Sequence, residues 1–315
     1  MLWNKGINFD VKCGRVRKDN MCMKKFISLL LTAVLLFGLS ASAFAVNVQS
    51  RAVIGANLDQ TQIAQVYQAF GVPRGSAIEL YVTNSEERMY LEGLVDEAII
   101  GTRSISCVYV ELLPAGSGVD VTCSNITWCT PQMYISALAT AGITDARIIV
   151  AAPIPVSGTA GLTGVYKAYE DLTGQKLDSV AKLVSTQELT ITGELAQEIG
   201  QMDSTSIVSE LKNMLDYTRN MTDAEIRGQI EAIAGRYNVT LTETQYGQLI
   251  SLCRSLESLD PDSLKKRVED VQDTLSKVSN ARTQIVGFVD TVKKVVTSVA
   301  GFFETIASLF GTQQQ

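Results

Sequence analysis

The residues with the clearest chemical character form the run Ser157-Gly158-Thr159, at the predicted start of a helix. The free N–H groups at a helix N-terminus bind anions such as phosphate, so this run is a candidate anion site. We favour an ordinary helix cap with Ser157 as N-cap, because such caps occur on most helices. Gly158, Gly161 and Gly164 recur at every third position, which predicts a smooth ridge packed closely on a sheet. No lysine follows them, so the run is not a P-loop.

Hydrolytic chemistry would have to work without histidine, because the chain contains none. This composition excludes Ser-His-Asp and Cys-His catalysis and His-ligated zinc sites. Ser157 and Lys167 are ten helical positions apart, about 15 Å along the axis, so they cannot touch on one helix. Adjacent acids diverge around a helix, which favours solvated faces over an acid–base pair. These acids are Glu86-Glu87 and Asp96-Glu97. We predict no catalytic, metal or cofactor site.

Two aromatic residues are candidates for a sugar-binding surface. Trp128 and Tyr134 flank the predicted helix start at Thr130-Pro131, and aromatic faces suit sugar rings. A core position beside that helix is the interpretation we favour, because aromatic side chains are mostly buried.

Four cysteines lie beyond the first 45 residues and are the disulfide candidates: Cys107, Cys123, Cys129 and Cys253. Four cysteines allow three connectivities. Two predicted strands around Pro114-Ala115-Gly116 would form a hairpin that places Cys107 directly opposite Cys123, which favours a bond between them. Cys129 and Cys253 would then pair or stay free. Four buried thiols are the alternative, since many exported bacterial proteins keep no disulfides.

The stretch 23–45 is typical of a secretory signal peptide. It has a basic start at Lys24-Lys25, an apolar centre over 26–39 and a small-residue cleavage site at Ala43-Phe44-Ala45. We therefore expect cleavage after Ala45 and a protein that is secreted or associated with the cell envelope. A retained anchor is the alternative, although the apolar run is short for a membrane span of about 20 residues.

The charge balance separates the chain into two parts. Residues 1–22 are polar and basic, unlike an export leader, and we interpret residues 1–45 as a spurious extension plus the signal peptide. Residues 46–315 carry 20 basic and 31 acidic residues. An acidic chain without a basic, aromatic-rich patch is a poor candidate for binding nucleic acid.

The periodicity of residues 46–180 predicts an α+β domain. Its order of strand, helix, strand, strand, helix, strand is that of a ferredoxin-like βαββαβ unit with flanking helices. The predicted elements are helix 59–70, strand 77–83, a helix from Asn84 or Ser85 through Leu94, strands 104–113 and 119–127, helix 131–142, strand 146–152 and a helix from Ser157 to Gly174.

Residues 181–315 predict an all-α unit that ends in an amphipathic helix. Capping boxes are predicted at Ser185/Glu188, Thr222/Glu225 and Thr242/Gln245. The stretch 285–310 has the strongest apolar periodicity in the chain, and its charges balance. This favours a bundle face or contact with a protein partner, including a second copy, over membrane-surface contact, which remains an alternative. The stripe includes Ile285, Phe288, Val292, Val295, Val299, Phe302, Ile306 and Leu309.

Several long strings carry a resemblance to a known family. They are AVIGANLDQTQ, VTNSEER, SNITWCTPQMY, ALATAGITDARIIVAAPIPVSGTAGLTGVYKAYE and MTDAEIRGQIEAIAGRYNVTLTETQ. The chain resembles the bacterial domain-of-unknown-function family 1002, exported proteins common in Gram-positive spore-formers. The resemblance implies export but no activity and no catalytic residues. We therefore expect an uncharacterised cell-envelope protein that binds or scaffolds an envelope component. A histidine-independent envelope hydrolase using carboxylate or Ser/Lys chemistry is the alternative.

Overall fold

The chain forms a mixed α/β protein with one five-stranded sheet in the residues that the computed structural model describes, 49–271. The strands are β1 (Ser50–Gly55), β2 (Ile78–Val82), β3 (Cys107–Leu112), β4 (Val119–Ile126) and β5 (Ala146–Val156). The helices are α1 (Gln60–Phe70), α2 (Asn84–Leu91), α3 (Glu97–Ile100), α4 (Pro131–Ala141), α5 (Thr159–Thr173), α6 (Ser179–Ile199), α7 (Gln201–Asn213), α8 (Leu215–Thr218), α9 (Asp223–Arg236) and α10 (Glu243–Glu257), followed by helical residues 261–271. Over this range no helix has the length and apolar character needed to cross a membrane.

The strand order in the sheet is β2-β1-β3-β5-β4. Strand β3 runs antiparallel to its neighbours β1 and β5, whereas β1 pairs in parallel with β2 and β4 in parallel with β5. Four of the five strands therefore run in the same direction, and their carboxyl ends meet at one edge.

The predicted hairpin between β3 and β4 is wrong, because β5 lies between these strands. Ala151 of β5 pairs with Cys107 on one side and with Ser124 on the other. Strand β5 is rich in apolar residues and is buried at Ile148, Val150 and their neighbours. Such a strand is typical of the interior of a sheet whose two faces are both covered, which explains its central position. Its crossover through α4 brings it beside β4 in parallel. The ferredoxin-like unit is not confirmed, and β1 is a strand that the sequence reasoning missed.

Helices cover the sheet from both sides. Helix α1 packs on the face that carries Ala52, Ile54, Tyr109 and Ala151. Helices α4 and α5 pack on the opposite face, where the core includes Val53, Val108, Val110, Val121 and Ile148. Helices on both faces of a sheet in which most strands share a direction are typical of α/β proteins.

Several local predictions are confirmed. Asp59 caps α1 through a capping box with Gln62, and Thr130 caps α4, whose first residue is a proline. A Cβ added at Gly161 would lie 2.9 Å from Val150, and one at Gly164 would lie 3.0 Å from Val108. The predicted smooth ridge on α5 therefore packs closely on the sheet.

The helices from α6 onward form a second apolar core. The capping boxes at Thr222 and Thr242 are confirmed. The one at Ser185 is wrong, because α6 begins earlier with Asp178 as its N-cap. Leu189 of α6 also belongs to the core of the sheet, so α6 packs directly on the α/β part. The amphipathic stretch 285–310 lies outside the described residues.

Candidate functional site

The carboxyl edge of the sheet is the natural place for a site in this fold. In open α/β sheets, ligands bind in the crevice outside the carboxyl ends of the strands. The strand ends that meet here are Gly55, Val82, Ile126 and Val156. The N-termini of α1, α2, α4 and α5 follow these ends, so the candidate run Ser157-Gly158-Thr159 lies at this edge.

A segment of chain lies over this edge, and we name residues 84–106 the cover segment. It contains α2 and α3, and its apolar residues Leu91, Val95 and Ile100 form a small cluster against which Trp128 packs. At its end the backbone of Ser104 crosses the end of β1 so closely that a Cβ at Gly55 would lie 2.5 Å from the Ser104 carbonyl oxygen. The crevice is therefore occupied by the protein's own chain.

The residues of the candidate anion site bond to the cover segment. The Ser157 hydroxyl donates to the carbonyl of Ile99 at 2.9 Å, and the Thr159 hydroxyl donates to Glu87 Oε1 at 2.6 Å. The prediction that Ser157 is the N-cap is wrong, because Gly158 takes that position at φ 99° without a side-chain cap. An external anion at this helix end would have to compete with the Glu87 carboxyl, so the anion site stays a prediction.

The interpretation of Glu87 as a solvated acid is wrong, because this residue is buried at the carboxyl edge of the sheet. Its residue surface is 1% exposed, and among the described residues its Oε2 has no hydrogen-bond partner. Burial raises the pKa of Glu87 to about 7, against the opposing effect of hydrogen bonds from Thr159 and Asn84. The neighbouring Glu86 is partly exposed, as the sequence predicts for these acids. It pairs with Lys167 at 2.6 Å. The signal in the sequence is the spacing of Glu87 four residues before Leu91, which places both on the buried face of α2.

The aromatic candidates lie inside the protein. Tyr134 is fully buried, and its hydroxyl donates to the carbonyl of Gly158 at 2.5 Å, so the core interpretation of Tyr134 is confirmed. Trp128 packs partly buried between the sheet core and the cluster of the cover segment. Its ring lies so close to Gly193 of α6 that a Cβ there would be 2.4 Å from Cζ2. These contacts leave Tyr134 no exposed ring face for a sugar.

The four candidate cysteines, Cys107, Cys123, Cys129 and Cys253, are free thiols. The preferred Cys107–Cys123 disulfide is wrong because β5 separates the two strands, which puts their backbones about 10 Å apart. A disulfide needs Cα atoms within about 7 Å. The Cys107 sulfur instead accepts the N–H of Gly55 at 3.2 Å, and burial raises the pKa of this thiol to about 12.

A second polar cluster joins α4, α6 and α7, and we name Ser136, Thr140, Glu188 and Lys212 the buried quartet. Lys212 Nζ lies 3.0 Å from Glu188 Oε1 and 3.2 Å from Ser136 Oγ, and it also donates to the Ser136 carbonyl at 2.9 Å. The hydroxyls of Ser136 and Thr140 each donate to the carboxylate of Glu188 at 2.5 Å. Sequence reasoning missed this cluster because its members are 24 to 76 residues apart where they bond across helices.

The buried quartet has the composition of a Ser/Lys catalytic pair but lies in the interior. The side chains of Lys212 and Glu188 are 2% and 1% exposed, and burial lowers the pKa of Lys212. Each donor of the ammonium has a partner within the cluster, so the arrangement binds α6 and α7 to α4. Ser136 itself is buried, with 4% of its surface exposed.

One stretch of the sheet remains open to solvent on the α1 side. Glu111, Arg147 and Asp120 lie side by side on β3, β5 and β4, and Thr122 follows on β4. We name these four residues the open strip. Arg147 bridges the two acids, with Nη1 at 3.2 Å from Glu111 and Nε at 3.8 Å from Asp120. Beyond β4 the described chain places no further strand, so this strip borders a free sheet edge.

The fold and these sites define a mixed α/β protein whose reactive side chains bond to one another inside it. The family described as "Protein of unknown function (DUF1002)" matches residues 54–278, so the chain belongs to this family. It is also similar to the uncharacterized protein YpuA of Bacillus subtilis (strain 168). The two are 34% identical over 300 residues, which cover 91% of this chain and 100% of YpuA. No solved structure matches the chain.

Proposed function

We propose that this protein is exported to the cell envelope and acts there as a non-catalytic binding or scaffolding module. The observation that carries the proposal is the open strip, a polar sheet surface beside a free edge. The reactive groups, in contrast, are occupied in internal bonds: Glu87 with Thr159, and Ser136 with Glu188 and Lys212. The accessible chemistry is therefore that of recognition.

The open strip suits a polar, hydrogen-bonding partner. Two carboxylates and one guanidinium lie within ion-pair distance, and the hydroxyl of Thr122 extends the same polar row. Free edges of sheets also accept an added strand through main-chain hydrogen bonds. A wall polymer or an extended peptide of the envelope has the chemistry to bind here.

Co-sedimentation tests the binding role. Mature protein is mixed with purified wall sacculi and, separately, with anionic vesicles. We expect sedimentation with sacculi, and we expect Arg147→Ala to weaken it because the strip loses its central cation. Arg227→Ala is the matched control, since Arg227 forms an exposed pair with Glu243 on the helical side. Sedimentation with vesicles alone would instead assign the contact to the stripe at 285–310, and no sedimentation with either would reject the proposal.

N-terminal sequencing tests the export role. The small-residue site Ala43-Phe44-Ala45 predicts that protein recovered from the envelope or the culture medium begins at or near Val46. Recovery of protein that contains residues before Met23 would contradict both the export and the start-site interpretation.

The alternative is a histidine-independent hydrolase, and the geometry of the buried quartet is the observation that favours it. Ser136 Oγ donates to the Glu188 carboxylate at 2.5 Å and accepts from Lys212 Nζ at 3.2 Å, and burial lowers the pKa of Lys212. A hydroxyl nucleophile therefore lies beside two groups that could act as its base. A fluorophosphonate probe distinguishes the two functions. We expect no labelling of Ser136 in the folded protein, because it is buried, whereas labelling that Ser136→Ala abolishes would establish the hydrolase.

A further inference from the structure

Unpartnered polar atoms are concentrated at the carboxyl edge of the sheet. Within residues 49–271 four buried side-chain nitrogen or oxygen atoms have no hydrogen-bond partner, and three belong to Glu87, Ser104 and Trp128. Glu87 and Ser104 are in the cover segment, and Trp128 packs against its apolar cluster. Buried polar groups are nearly always bonded, so such a group in a native structure calls for an explanation.

The cover segment has its own small attachment to the rest of the protein. Its apolar cluster contains three buried residues, whereas the other cores are much larger. Tyr90 also packs against the sheet core. The remaining attachments are polar and include bonds to Thr159, Ser157, Lys167 and Asn57. Regions with few buried apolar contacts open locally at lower cost than the global core.

The surroundings of Glu87 suit an uncharged carboxyl. Its polar neighbours are uncharged: the Thr159 hydroxyl of α5 donates to it, and the Asn84 amide of α2 lies beside it. Cys129 and Tyr134, at the start of α4, are also near it and supply no cation. Arg88, on the same helix, lowers the pKa of Glu87 through its positive charge, but its guanidinium is bonded to Glu97 at 2.7 Å.

Helix α6 also packs against α2, but its lysine bonds to groups other than Glu87. Lys182 of α6 lies over the ring of Tyr90 at 5.7 Å and pairs with Glu170 at 2.7 Å. The described groups that face Glu87 therefore place no unpaired cation beside a negative charge on Oε2. A carboxylate at this position would be buried with little compensation, which is costly.

We propose that the cover segment closes over the carboxyl edge of the sheet under the control of a proton on Glu87. With the proton bound, the neutral carboxyl stays buried and the segment is closed. When the proton passes to solvent, the carboxylate gains hydration in the open form, which exposes Ser157, Thr159 and the N-terminus of α5. The equilibrium between the closed and open forms therefore shifts toward the open form as the pH rises from acid to neutral.

The pH window follows from the two forms of Glu87. Burial raises the pKa to about 7 in the closed form, and the solvated carboxyl of the open form has the ordinary value of 4.5. Between these values only the open form gives up its proton, so the opening equilibrium rises about tenfold per pH unit. The total rise is roughly 300-fold, and the equilibrium is level above pH 7 because both forms are then ionised.

Hydrogen exchange of the full chain tests this proposal. Protection factors, corrected for intrinsic exchange, are measured from pH 5 to 8 for the cover segment, including the Glu92 and Gly101 amides that close α2 and α3. We expect protection to fall about tenfold per unit up to pH 7 and then to level off. The amides of α9 serve as the internal reference and should not follow this profile.

Three variants isolate the role of the carboxyl. Glu87→Gln keeps its shape without the titration, so protection of the cover segment should become independent of pH. Glu87→Met gives the same test without a polar group, and the exposed Glu92→Gln is the matched control that should keep the wild-type profile. A flat profile in the wild-type protein, an equal fall in Glu87→Gln, or an equal fall in α9 would each overturn the proposal.

Discussion

Replacing Lys212 by methionine tests whether the buried quartet stabilises the docking of α6 and α7 on α4. Methionine keeps the unbranched apolar stem of lysine and removes only the ammonium. The carboxylate of Glu188 would then remain almost fully buried, with the hydroxyls of Ser136 and Thr140 as its bonded donors. Removing one partner of a buried ion pair leaves an uncompensated charge.

The expected loss is large because both charges are sealed from water. Breaking a buried pair costs about 3–5 kcal/mol of the free energy of unfolding, whereas replacing both partners by apolar residues is often neutral or stabilising. We therefore expect Lys212→Met to lose about 4 kcal/mol, and the double variant with Glu188→Leu to lose at least about 2 kcal/mol less than the sum of the single variants.

Chemical denaturation of the four proteins in this double-mutant cycle gives the free energies directly. Lys265→Met is the matched control, because Lys265 pairs with Asp216 on the surface at 2.8 Å and both side chains are about half exposed. Its loss should be much smaller than that of Lys212→Met, because solvent screens an exposed pair. A loss under about 1 kcal/mol for Lys212→Met, or additive single losses, would refute the reasoning.

Three further predictions concern packing, thiols and the apolar stretch 285–310. Gly193→Ala should destabilise the protein by about 1–3 kcal/mol because the new methyl group meets the tryptophan ring, whereas Gly228→Ala, with open space around it, should stabilise it by about 0.5–1 kcal/mol in thermal unfolding. Thiol labelling at pH 8 should be slow at Cys107 and at the half-buried Cys123 and should speed up when the chain unfolds, because burial raises the pKa of each to about 12; a recovered disulfide between them would contradict the strand order. Deleting residues 285–315 should lower the melting temperature or dissociate an oligomer, because a wide apolar stripe needs protein contact; unchanged stability with lost vesicle binding would make it a membrane anchor.

Many local elements of this protein were predictable from its sequence, although β1 and the N-caps of α5 and α6 were not. Capping at Asp59, Thr130 and Thr222 was predictable because an N-cap side chain bonds to a backbone only two or three residues away. The close approach of α5 to the sheet followed from the spacing of its glycines. Such features depend on neighbours along the chain, which the sequence displays directly.

Contacts between residues that are distant along the chain depend on tertiary packing, which the sequence does not display. The position of β5 between β3 and β4 could not be predicted from the strands themselves, because the short turn at 114–116 also favoured a β3–β4 hairpin. The observed strand order is favoured over that hairpin because it buries β5 on both faces. The environments of Glu87 and Lys212 likewise could not be predicted from the sequence. Their charges look solvated in a one-dimensional pattern, but burial against other helices, together with the desolvation it imposes, sets their pKa values and their partners.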